Sequence, residues 1–384
     1  MFAKNVFRVK TIAAAVALGS FAGWAGAAVI NPNTGSATIA VGESVTFNKT
    51  ITVDAGGASK VDVFFLADNT GSMGSILDKI KSQATSILGT LSTTYADAAF
   101  GVGRYLGDPV ESGETYNTAY QLQQAVTTNQ ANAVTAINGW YASGGNDTPE
   151  GNFYALQQVA TEGANVPGTP LTPVKGPNTG SGDVTGWRTG AQRVVTWFGD
   201  APSHNETITE AQTIAALQAS GVTVVGMNSA AVNGGIDGSY TSANGTDSTQ
   251  AADIASATGG SVLNNVTSLS NTQLADAVIA AIGMATSEID LVFNVSELFP
   301  GLGVSFACTD VLGCNDVAGG ETRSFSVTFT GLAAGIYAFN TFANGVDAFE
   351  HDTITVGSAV PEPGSMALLG LALGAIPLVR RRRV

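Results

Sequence analysis

Charge is scarce in this sequence. Of 384 residues only 12% are charged, and 16 basic side chains face 30 acidic ones, a formal net charge of −14. A chain so poor in lysine and arginine lacks the basic surface that neutralises phosphates, so nucleic acid is not an expected partner. A divalent cation suits the acidic balance better. Histidine is rarer still: His204 and His351 are the only two, too few for a histidine-rich metal site. No G-x-S-x-G turn and no G-x-x-x-x-G-K-[ST] loop occurs, which argues against a hydrolase nucleophile elbow and a nucleotide-phosphate cradle. His204 and His351 are therefore expected to be structural or solvent-facing. Cysteine is limited to Cys308 and Cys314, in "ACTDVLGC". In an oxidising compartment such a pair closes a disulfide.

What the chain has in quantity is apolar side chains, at 44%, and glycine, 47 residues. That is enough for a sizeable core, and the length allows two or three domains. The N-terminus reads as an address. Lys4, Arg8 and Lys10 lead an apolar stretch from Ile12 to about Phe21, and Ala25-Gly26-Ala27 fits a small-residue cleavage site. Residues 1–27 are thus expected to be a secretory signal peptide.

The C-terminus, 358–384, is tripartite. Pro361-Glu362-Pro363 precedes an apolar run over 366–379, and four arginines follow at 380–383. A helix of about 14 residues spans roughly 21 Å, short for a hydrocarbon core of about 30 Å. The arginines would stay on the cytoplasmic side. This tail resembles the PEP-CTERM sorting signal. The resemblance implies a Gram-negative-type envelope, transient or lasting inner-membrane anchoring, and an exosortase-type processing enzyme. It also implies export to the cell surface or extracellular matrix.

Between the two ends, 36–53 alternates polar and apolar residues about a Gly-Glu turn, a two-strand signature. From 61 to about 282, strand and helix patterns take turns. Strands are expected at 61–67, 98–105, 193–198 and 222–227. Helices are expected at 75–91, 119–137, 151–160, 208–219, 250–257 and 273–285. Such alternation predicts an α/β fold with a doubly wound, mostly parallel sheet. After Glu288 the pattern returns to strands. Two N-terminal strands alone are too few for an independent unit. The expected architecture is therefore one β-sandwich from 28–59 and 286–357, with the α/β domain, 60–285, inserted between them.

The stretch "VDVFFLADNTGSM", 61–73, ends a buried strand in Asp68, with hydroxyls at alternate positions, Thr70 and Ser72. In doubly wound sheets ligands bind beyond the carboxyl ends of strands. A carboxylate and two hydroxyls there are hard oxygen donors suited to Mg²⁺. Two more segments offer oxygens: "SGGNDTPEG", with Asp147, Thr148 and Glu150, and "VVTWFGDAPSH", whose strand ends at Asp200.

Together these resemble the metal-ion-dependent adhesion site (MIDAS) of von Willebrand factor A domains, most closely the I-like domain of integrin β subunits. The resemblance implies that Thr70 and Ser72 ligate a metal directly, and that Asp68 and Asp200 do so directly or through water. The loop ligand would be Glu150, as in integrin β, or Thr148, as in ordinary A domains. Asp147 matches a position that helps hold a neighbouring second cation. Gly74 and Ser75 stand where integrin β carries further acidic residues, a departure from the pattern that the resemblance implies for the adjacent cation. The cofactor implied is Mg²⁺, with Ca²⁺ or Mn²⁺ as alternatives. The partner implied is an acidic protein or polysaccharide whose carboxylate completes the metal. The expected function is cation-dependent adhesion without catalysis. The competing reading is a structural matrix or surface component whose metal only stabilises the fold.

Overall fold

The computed structural model describes residues 28–162, 184–229 and 234–357. The expected signal peptide, the C-terminal tail and most of the Gly/Pro-rich loop after Glu162 lie outside the described residues. In chain order the main elements begin with β1 (Val29–Asn31), β2 (Thr34–Ala40), β3 (Ser44–Thr52) and β4 (Lys60–Asp68). Then come α1 (Gly74–Thr94), β5 (Asp97–Tyr105), β6 (Tyr120–Thr127), α2 (Gln130–Asn138), α3 (Asn152–Thr161) and β7 (Gln192–Gly199). They continue with α4 (Glu210–Ala219), β8 (Val222–Asn228), α5 (Gln250–Ala257), β9 (Ser261–Leu263) and α6 (Asn271–Ala285). The last strands are β10 (Phe293–Val295), β11 (Leu302–Cys308), β12 (Thr322–Gly331), β13 (Gly335–Ala343) and β14 (Phe349–Gly357).

The central sheet runs β9-β8-β7-β4-β5-β6, parallel except for the antiparallel edge strand β6. Strand β4 is buried almost throughout and faces two cores in alternation. Val63, Phe65 and Ala67 pack under α1, α2 and α6, while Phe64 and Leu66 pack under α3, α4 and α5. Helix α1 turns Ile76, Leu77, Ile80, Ala84, Ile87, Leu88 and Leu91 inward, at the three- and four-residue spacing of one helix face. Trp140 and Trp197 are fully buried in these cores.

The flanking strands form two four-stranded sheets, β1-β3-β12-β11 and β10-β13-β14-β2. Each contains strands from before and after the α/β block: β3 pairs with β12, and β2 with β14. The two strands around the early Gly-Glu turn thus part company, one to each sheet. Cys308 and Cys314 form a disulfide with Cα atoms 6.0 Å apart.

One expected element is wrong. The segment 119–137 is not a single helix: 120–127 is a strand, and the helix begins at Gln130. Glutamine and alanine favour helix locally. Here the open edge of β5 offers backbone partners, and Tyr120 and Leu122 are buried from the new strand. Strand β9 went unread because only three residues of it pair.

Candidate functional site

Chain order around β4 fixes where a site can form. The chain leaves β4 through α1 to β5 on one side and later returns to β7 on the other. The crevice between the ends of β4 and β7 is the point where strand order reverses, the usual ligand position in such sheets. Ala67 lies level with Phe198. Asp68, the last residue of β4, and Asp200, just past β7, therefore flank that crevice.

Asp68 is wholly buried, and its Oδ1 accepts a 2.7 Å hydrogen bond from the Thr70 backbone N–H. Among the described residues its other oxygen has no partner. The Thr70 and Ser72 hydroxyls stand 3.3 Å apart. Asp200 is buried, and among the described residues neither carboxylate oxygen makes a hydrogen bond of normal geometry. Glu150 is buried as well, its Oε2 unpartnered among the described residues.

Backbone contacts close the loops onto one another. Gly71 N–H donates to Gly144 O (3.2 Å), Ser143 N–H to Asn69 O (2.9 Å) and Glu150 N–H to Pro202 O (2.9 Å). Gly145 has φ +87°, and a Cβ there would sit 3.2 Å from the Thr70 side chain and 3.5 Å from Glu150 Oε1. Only glycine combines that backbone with that approach. Beneath the crevice the buried Trp197 Nε1 donates to Tyr105 Oη at 2.9 Å.

The electrostatics are one-sided. Burial pushes the Asp68 carboxyl well above its ordinary range, and the nearby Asp200 charge pushes it further. Glu150 is raised by burial and then by Asp68, Asp200, Asp147 and Glu114. Burial raises Asp200 too, and the adjacent Ser72 hydroxyl offsets only part of this. Three buried carboxyls meet at this crevice, and among the described residues no basic group contributes to these shifts. Isolated buried carboxylates are costly unless a counter-charge meets them. Among the described residues no group of three or more His, Cys, Asp or Glu side chains is placed to hold one ion by itself. The donor set here is mixed, with two hydroxyls among the carboxylates. Hard oxygen donors with unpaired buried lone pairs fit a divalent cation of the magnesium or calcium type.

Of the residues singled out from the sequence, Asp68, Thr70, Ser72, Glu150 and Asp200 come together. Thr148 is exposed in the loop, just before cis Pro149. Asp147 points instead to His204, with Oδ2 3.2 Å from Nε2. His204 is buried, its Nδ1 is 3.3 Å from Glu206, and its ring lies edge-on to Tyr240. Sequence reasoning missed Asp108. It is buried near His204, and its Oδ1 accepts from the Val110 and Glu111 N–H groups. The Asp-Pro at the end of β5, on the same side of the sheet, was the available signal.

Comparison with known proteins bears on the tail first. The PEP-CTERM protein-sorting motif matches residues 359–383. The chain carries a PEP-CTERM signal. Such a signal marks a protein exported in Gram-negative bacteria and implies an exosortase-type processing enzyme. No curated protein matches the chain. Among solved structures it is similar to a von Willebrand factor type A protein from Catenulispora acidiphila, at 15% identity and TM-score 0.39 over 88% of this chain and 74% of that one. It is also similar to proximal thread matrix protein 1 from the mussel byssus, whose MIDAS motif is occupied by zinc, at 14% identity and TM-score 0.39. That match covers 63% of this chain and 48% of the mussel protein; a second crystal form gives 13% and 0.37 over 62% and 50%. The chain thus spans about half the length of the mussel protein. No helix among the described residues is long and apolar enough to cross a membrane.

Proposed function

We propose that this is an exported surface or matrix protein that captures an acid-bearing ligand through one divalent cation at the crevice between β4 and β7. Thr70, Ser72 and Glu150 would hold the ion, with Asp68 and Asp200 ligating directly or through water. The supporting observation is the convergence of three buried carboxyls and two hydroxyls at the strand-order reversal, with unpaired oxygens and no counter-charge among the described residues. Glu150 takes the loop position in this reading, because it is buried in the cluster while Thr148 is exposed. Mg²⁺ is the preferred ion, since a small hard cation with few direct carboxylates keeps its appetite for another anion. The bound ion supplies a Lewis-acidic position for a carboxylate of an acidic protein or polysaccharide. The chain's own residues orient the ion and shape the rim.

A scaffold role is favoured by a different observation: the three site loops are already hydrogen-bonded to one another, so an ion there would also fasten them. Calorimetry of Mg²⁺ binding to wild type and Asp68→Ala, followed by retention of each on uronate-polymer beads with Mg²⁺ or EDTA, separates the two. Adhesion predicts Mg²⁺-dependent retention lost in the variant. Equal retention of both proteins, with Mg²⁺ binding lost only in the variant, supports the scaffold.

A further inference from the structure

The sandwich hides a polar group where its pattern calls for hydrocarbon. Along β3 the inward positions are Val45, Phe47, Lys49 and Ile51; along β14 they are Glu350, Asp352, Ile354 and Val356. Lys49 and Glu350 have side chains with no solvent exposure, and Asp352 is 1% exposed. The two strands belong to opposite sheets, so the lysine reaches across the core. Its Nζ donates to the backbone oxygens of Pro32 (3.2 Å) and Thr34 (3.1 Å) and to Glu350 Oε1. The two carbonyls hold the nitrogen in place against the carboxyl.

A second carboxyl completes the group. Asp352 Oδ2 accepts a 2.6 Å hydrogen bond from the buried Thr341 hydroxyl. Among the described residues its Oδ1 and the Oε2 of Glu350 have no donor. Gly35, paired with Asp352 across the sheet, makes room for both acids. A Cβ at 35 would meet Asp352 Oδ1 at 2.3 Å and Glu350 Oε1 at 3.1 Å. One lysine among two carboxyls leaves an excess negative charge unless one acid is protonated. Burial and the neighbouring Asp352 raise the Glu350 carboxyl to about 7, against the opposing pull of Lys49. The group therefore holds a lysine nitrogen, a carboxyl carbon one bond from the oxygen it touches, and a second carboxyl beside them. Water is excluded from all three.

We propose that Lys49 and Glu350 condense to an intramolecular isopeptide bond, with Asp352 relaying the proton. Transfer of one proton from the ammonium to the Glu350 carboxylate gives an amine and a carboxylic acid. Nζ then attacks Cδ, and the C–N bond forms. One C–O bond breaks, and its oxygen leaves with two hydrogens as water. No electron changes hands, and Asp352 returns to its starting state. Condensation removes two buried charges, whose desolvation is the cost of an ordinary buried ion pair. A dry site also disfavours the reverse hydrolysis. The bond would join residues 301 apart in sequence, one before and one after the inserted α/β block. It would clamp one sheet to the other, so that a pull on the α/β domain would not part the sandwich halves.

Peptide mapping of the full chain, reduced and digested with trypsin, tests this directly. The proposal expects no cleavage after Lys49 and a branched peptide containing Lys49 and Glu350, lighter by one water than its two parts. Linear peptides ending at Lys49 overturn it and leave a buried salt bridge. Lys49→Arg keeps the charge but cannot condense, and is expected to restore linear Glu350 peptides; a Glu350 peptide still short by one water in that variant also overturns the assignment. For Asp352→Asn, mass spectra taken over time after cell-free synthesis are expected to show condensation slowed roughly 10²-fold or more. Bond formation at the wild-type rate in that variant removes Asp352 from the scheme.

Discussion

Replacing Asp68 by Asn separates the metal account from a purely structural one, because it predicts effects of opposite sign with and without the ion. Asparagine keeps the shape and the oxygen that accepts from the Thr70 N–H. It replaces a fully buried carboxyl with one unpartnered oxygen and places an amide donor in a cluster where the carboxyls of Asp200 and Glu150 also have unpaired oxygens among the described residues. A buried polar group without a partner costs about 1–3 kcal/mol, more when charged. Metal-free Asp68→Asn should therefore be more stable than metal-free wild type by about that amount. A domain of this size shifts roughly 2–4 °C in Tm per kcal/mol. In saturating Mg²⁺ the order reverses. Wild type should gain about 4.1 kcal/mol at a thousandfold excess over Kd, more than the variant's advantage, and the variant should gain little. Differential scanning calorimetry in EDTA and in Mg²⁺ measures all four values. A variant that is less stable than wild type in EDTA and keeps the full Mg²⁺ shift would refute the reasoning.

Three further expectations concern the same site. Glu150→Gln should abolish Mg²⁺ binding, whereas Thr148→Ala should leave it within about twofold, as read by calorimetry; the reverse would exchange the loop ligand. Gly145→Ala adds a Cβ against Thr70 at positive φ, and should cost about 1–3 kcal/mol by thermal denaturation; a neutral result would show that the loop relaxes freely. The pH dependence has a definite sign. Asp68, Glu150 and Asp200 have folded-state pKa values above their unfolded ones. Their favourable contribution is present below the ordinary carboxylate range and lost as pH rises through the raised values, about 8 for Asp68. Metal-free Tm should thus fall from about pH 4 up to about pH 10, the raised value of Glu150, by less in a variant with all three carboxyls neutralised, and Mg²⁺ should flatten the wild-type curve.

The parts of the fold legible from sequence were those where pattern and packing agree. The apolar run of β4, the face of α1 and the alternation of the flanking strands each carry their period openly. The strand at 120–127 was hidden because its glutamines suit a helix and only the edge of β5 decides otherwise. The end-of-strand position of Asp68 and Asp200 could be read because strand ends are visible in the chain. The burial of Glu150 and the exposure of Thr148 could not, since two residues in one loop differ only by the backbone path between them. Lys49, Glu350 and Asp352 were in plain view: Lys49 falls in phase with Phe47 and Ile51. A charged residue on the apolar phase of a strand was the signal, and alternation alone passed over it.

Diffraction from crystals soaked in Mn²⁺, recorded at the manganese edge, addresses the central claim without relying on any ligand. The account predicts one anomalous peak in the crevice between the ends of β4 and β7, within bonding distance of the Thr70 and Ser72 hydroxyls and Glu150, and its loss in Asp68→Ala. A crevice without that peak at saturating Mn²⁺, or a peak bound elsewhere while Asp68 and Asp200 remain apart, would contradict it.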